Sequence, residues 1–132
     1  MTMDVSANKG KSLAIILSND LPGLAQAESL LSTRGIETLR TNSLEQCIEQ
    51  VRNSSPDLLI VEDDTVHNSG IRAIREALKI SWTISSILVS SLDEAQIHDR
   101  AEGLGILGSL SSLDDSEGLK ALLDSFDRIR SA

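Results

Sequence analysis

The sequence predicts an α/β chain, a single doubly wound (βα)5 domain with a five-stranded parallel sheet and helices on both faces. Three observations carry that expectation. Short, mostly apolar runs recur at residues 12–17, 36–40, 57–61, 84–90 and 105–110, the pattern of strands buried in a sheet. Segments with apolar residues at helical spacing lie between them. No long loop or change in composition interrupts the alternation, and parallel strands need crossovers of this kind, nearly always right-handed.

The first strand, SLAIIL, leads into a helix whose face is Leu21, Leu24, Ala25, Ala27, Leu30 and Leu31. Asp20 stands at its N-cap, Pro22 fits the opening turn and Gly35 marks the stop. After the second strand, Ser43 and Gln46 have capping-box spacing ahead of Leu44, Cys47, Ile48 and Val51. The third strand ends in the acidic cluster Glu62, Asp63 and Asp64, followed by a helix faced by Ile71, Ile74, Ala77 and Leu78. Ser91 with Glu94 is read as the opening of a fourth, thinly apolar helix running through Ala95, Ile97 and His98 to Gly103. Leu119, Leu122, Leu123, Phe126 and Ile129 give the fifth helix a strong apolar stripe, with Asp114 and Glu117 at its entrance.

A chain of 132 residues buries one sizeable core. Trp82 and Phe126 are the only aromatic residues, so that core is aliphatic. The net charge of −8 disfavours nucleic acid as a direct partner, because such binding neutralises phosphates with Lys and Arg. Cys47 is the only cysteine, which excludes an intramolecular disulfide and reads as a buried structural thiol in a reducing compartment. No stretch approaches the roughly 20 apolar residues of a membrane span. Residues 1–11 read as a flexible leader and 12–132 as the domain, in a cytoplasmic protein.

From about residue 12 to 130 the chain resembles the receiver domains of two-component response regulators, which have a flavodoxin-like (βα)5 fold. PDLLIVE resembles the family's strand ending in the phosphoacceptor, and Gly70, eight residues past Glu62, resembles the glycine of the following loop. Gly35 resembles the turn before the second strand, and ILVSS the fourth strand with its terminal hydroxyl. The resemblance places Glu62 at the phosphoacceptor position and Ser18 and Asn19 where the family has an acidic pair holding Mg²⁺, with Asp20 one step beyond. Ser90 holds the hydroxyl switch position, Ser112 the lysine position with Leu113 in place of proline, and Ser109 the aromatic switch position.

These departures imply a degenerate, or pseudo-, receiver. Magnesium is usually held by one or two carboxylates in near-octahedral oxygen geometry, so replacing the acidic pair leaves at most weak Mg²⁺ binding, and no cofactor is expected. Phosphoryl transfer is mostly positioning and charge neutralisation, which a metal and a basic residue normally share. Without them, Glu62 reads either as a solvated strand-end carboxylate or as a constitutive charge resembling the modified acceptor. The chain is accordingly not expected to be an enzyme. A working receiver is the alternative, with Asp63 or Asp64 as relocated acceptor and Asp20 and Glu62 on Mg²⁺. A flavin- or nucleotide-binding reading lacks a phosphate loop and stacking aromatics.

His67 and His98 lie 31 residues apart without zinc-ligand neighbours, and Ser18 lacks a nucleophile elbow. Trp82 either covers the lower edge of the sheet or anchors a partner. The resemblance implies a protein partner, or the chain's own effector domain, and a homodimer through the fourth helix, fifth strand and fifth helix. On this sequence that surface comprises Gln96, Ile97, Asp99, Lys120, Asp124, Asp127 and Arg128.

Overall fold

The computed structural model describes residues 12–64 and 69–131. Strands β1 (Ser12–Leu17), β2 (Ile36–Thr41), β3 (Leu58–Glu62), β4 (Ser85–Val89) and β5 (Gly108–Leu110) alternate with helices α1 (Leu21–Thr33), α2 (Leu44–Ser54), α3 (Ser69–Ile80), α4 (Glu94–Arg100) and α5 (Ser116–Ser131). The sheet is wholly parallel, in the order β2-β1-β3-β4-β5. The doubly wound (βα)5 expectation holds throughout. The expected leader, residues 1–11, and His67 lie outside the described residues.

Each strand serves two cores because successive side chains point to opposite faces. Ala14, Ile16, Leu58, Ile60, Ile87 and Val89 pack under α1 and α5 with Leu24, Leu31, Leu123 and Phe126. Ile15, Leu17, Leu59, Val61 and Leu88 pack under the other helices with Cys47, Val51, Ile71, Ile74 and Ile97. Ile97 is only 7% exposed. It leaves the expected partner surface because α4 has too few apolar residues to spare one for solvent. Leu21 and Ala25, assigned to the buried face of α1, are exposed instead.

The helix starts follow side-chain chemistry. Asp20 Oδ1 accepts from Gly23 N at 3.2 Å, the expected cap. At α2, Ser43 Oγ accepts from Gln46 N, but Gln46 Oε1 accepts from Asn42 N, so the box is only half made. The start of α4 is corrected from Ser91 to Asp93, which exchanges both capping-box bonds with Gln96. At α5 the cap is Asp115, accepting from Gly118 N at 3.0 Å, while Asp114 is taken by the Ser112 hydroxyl.

At the lower end of the sheet Asp57 joins three segments. Its Oδ2 accepts from Leu13 N at 3.0 Å, its Oδ1 from Arg130 at 2.9 Å, and its carbonyl from Ser85 N at 3.1 Å. Arg34 after α1 reaches Asp124 at 2.8 Å and Asp127 at 3.1 Å on α5. These two carboxylates, assigned to the α4–β5–α5 surface, are therefore turned to the α1 side. Among the described residues no helix is long and apolar enough to cross a membrane.

Candidate functional site

The strand order reverses direction between β1 and β3, and a crevice opens there at the carboxyl ends of the strands, where open α/β sheets bind ligands. The register aligns Leu17 with both Thr41 and Val61, so three strand exits meet at one level. The resulting cleft, of about 420 Å³, is lined by Leu17, Ser18 and Asn19 at and just after the end of β1, Asn42, Ser43 and Leu44 at the entrance of α2, and Glu62, Asp63, Asp64 and Ser69 between the end of β3 and the start of α3.

Ser18 organises its floor. The side chain is 6% exposed. Its hydroxyl donates to Glu62 Oε1 at 2.7 Å and accepts from Asp20 N at 3.0 Å, while its own N–H reaches Thr41 O at 3.1 Å. The Thr41 hydroxyl in turn donates to Ile16 O at 2.9 Å. Glu62 is thus held by a neutral donor from β1, across the strand gap where the resemblance would put a metal.

Asp63 is committed to the helix that follows. Its N–H continues the β4 ladder to Val89 O at 2.8 Å, and its Oδ1 accepts from Gly70 N at 2.9 Å and Ile71 N at 3.3 Å. These amides are among the orphan donors of the first turn of α3. Gly70 is required by the same contact, because a methyl group there would lie 2.9 Å from Asp63 Cα and 3.1 Å from a Leu88 methyl. Asp63 Oδ2 is buried without a partner among the described residues. Asp64 N donates to Ser69 Oγ at 3.2 Å.

The remaining sequence-predicted positions do not line the cleft. Asp20 turns to the start of α1. Ser90 is buried, its N–H bonded to Leu110 O and its hydroxyl accepting from Leu92 N at 3.2 Å, a local turn bond. Ser109 lies on β5, and Ser112 is bonded to Asp114. No lysine or arginine among the described residues lines the cleft. Among the described residues no three Asp, Glu, His or Cys side chains gather to hold a metal ion. The described side chains do not fit Mg²⁺: Asp20, Asp63 and Glu62 each give one oxygen to a cap or to Ser18, and they do not gather into the oxygen cluster the ion needs. Asn42, Ser43 and Ser69 escaped the sequence reading because they reach the cleft only when the loops after β2 and β3 meet; the one signal was their position just after strands.

Neither a protein-family model nor a curated protein sequence matches the chain. Solved structures do. A two-component response regulator from Clostridium difficile aligns at TM-score 0.79 and 17% identity, covering 92% of this chain and 99% of that one. An orphan response regulator of H. pylori gives 0.72 and 16% over 89% and 97%. A CheY-like response regulator receiver domain protein from Methanospirillum hungatei gives 0.70 and 16% over 89% and 97%. At these identities the likeness establishes that the chain has the receiver fold.

Proposed function

We propose that the chain is a degenerate receiver, a cytoplasmic signalling module that works by binding a protein partner and does not run the Mg²⁺-dependent phosphorylation cycle. The observation that carries this reading is the Ser18 hydroxyl on Glu62 at 2.7 Å, in a cleft where no Lys or Arg stands among the described lining residues. A phosphoryl group arriving beside Glu62, Asp63 and Asp64 would add negative charge where no Lys or Arg among the described residues lines the cleft to offset it. Glu62 instead acts as a fixed carboxylate tying β3 to β1.

Incubation with Mg²⁺ and acetyl phosphate tests this by mass spectrometry. The expected result is no phosphoryl adduct on the native chain, and an adduct on a variant restored by Ser18→Asp, Asn19→Asp, Glu62→Asp and Ser112→Lys. A stoichiometric adduct on the native chain at Asp63 or Asp64 would instead support a working receiver.

The partner surface proposed on α4, β5 and α5 retains Gln96, Asp99, Lys120 and Arg128, all exposed. Reversing the charges of Lys120 and Arg128 together should abolish a homodimer formed there. Sedimentation showing an unchanged dimer would rule out that face.

A further inference from the structure

The exposed face of α3 differs from the rest of this acidic chain. Arg72, Arg75 and Lys79 are all exposed and fall at i, i+3 and i+7, which places them within a narrow stripe along the helix. Lys79 pairs with Glu76 on the same helix at 3.0 Å, whereas Arg72 and Arg75 form no ion pair among the described residues. Just past the end of the helix stands Trp82, 83% exposed, with Ile80 38% exposed before it. The turn that presents Trp82 is fixed by three bonds: Ser81 N to Ala77 O at 2.9 Å, Ile84 N to Ser81 O at 3.4 Å, and a 3.0 Å contact between the Ser81 and Thr83 hydroxyls. At this exposure Trp82 does not cover the lower edge of the sheet.

We infer that this stripe is a docking surface for an acidic protein segment carrying an apolar residue, its carboxylates on Arg72 and Arg75 and its apolar side chain on Trp82 and Ile80. Charge complementarity selects the partner. Two guanidinium groups without ion-pair partners among the described residues can take carboxylates in forked, two-point contacts, and the 83% exposed indole offers apolar area for a partner to cover. A twofold contact between copies centred on this stripe would set the unpaired cations against each other, which argues for a different chain as occupant. Nucleic acid is disfavoured because Arg72, Arg75 and Lys79 supply only a few cations along one helix, whereas duplex binding typically neutralises about 6–10 phosphates. This inference rests on the exposed face of α3 and the Trp82 turn, and not on the chemistry at Glu62.

Trp82 is the only tryptophan, so its emission reports on this face alone. The full chain is titrated with a short synthetic peptide of aspartate, glutamate and leucine. The expected result is a saturable blue shift of Trp82 emission that weakens with added salt. The Arg72→Glu, Arg75→Glu variant should bind at least tenfold more weakly, and its circular dichroism should match the native chain because both positions are exposed. Three outcomes would overturn the inference: no shift, an equal shift with a lysine and leucine peptide, or stronger binding to phosphatidylserine vesicles or a DNA duplex than to the acidic peptide.

Discussion

Ser18 decides what Glu62 does. Its hydroxyl is bonded on both sides, to a carboxylate and to a backbone amide. Ser18→Ala leaves Asp20 N and one oxygen of Glu62 unmatched, and urea unfolding should show a loss of about 1–3 kcal/mol. Cys47 is fully buried, and burial pushes its thiol up to about 11, against a smaller opposing influence of the Thr41 side chain. A raised folded value favours the protonated thiol, so its contribution is complete below the ordinary thiol range and is lost as pH rises through about 11. Thermal unfolding followed from neutral to strongly alkaline pH should therefore fall less steeply for Cys47→Ala than for the native chain. At this scale the sequence supplied the identities of the carboxylates but not their partners. Asp20 was legible as a cap because its partner lies three residues away, whereas the Ser18–Glu62 bond spans 44 residues and exists only once β1 and β3 pair.

Helices in this chain begin where a short acidic or hydroxyl side chain meets the first free amides. At α3 that role falls to Asp63, on the strand side of the loop. Asp63→Ala should cost roughly 1 kcal/mol, while Asp63→Asn should be near neutral, since the amide oxygen keeps the cap; chemical denaturation separates the two. Gly70→Ala should destabilise by about 1–3 kcal/mol, because the added methyl would meet the Asp63 backbone and a Leu88 side chain. All ten elements were legible as apolar runs and periodic faces. Their ends were less so: β5 shortens from the expected 105–110 to Gly108–Leu110, with Gly105 at φ +61 before it, and α4 starts from Asp93 because aspartate with Gln96 completes a box that Ser91 with Glu94 does not. Local periodicity reports which residues are buried but not which of two neighbouring polar residues wins the cap.

The whole molecule is a receiver fold held by two aliphatic cores and fastened at its base by Asp57 and Arg130. Its topology brings the ends of β1 and β3 together as in any doubly wound sheet, and the sequence places a serine and a glutamate at that meeting point. The proposed degenerate receiver keeps the fold without the cation-binding chemistry, and the features proposed for recognition lie on the helices. Binding on the α3 stripe and phosphoryl chemistry in the cleft can be separated, because Trp82 reports only the first. Whether the cleft takes a metal or a phosphoryl group is read by an amide NMR titration of the purified chain with Mg²⁺ and then beryllofluoride, a mimic of the phosphoryl group on a carboxylate. For a degenerate receiver the spectrum stays unchanged through millimolar Mg²⁺ and beryllofluoride. Saturable shifts confined to Asp20, Glu62, Asp63 and Ser90, growing when beryllofluoride is added, would contradict that reading.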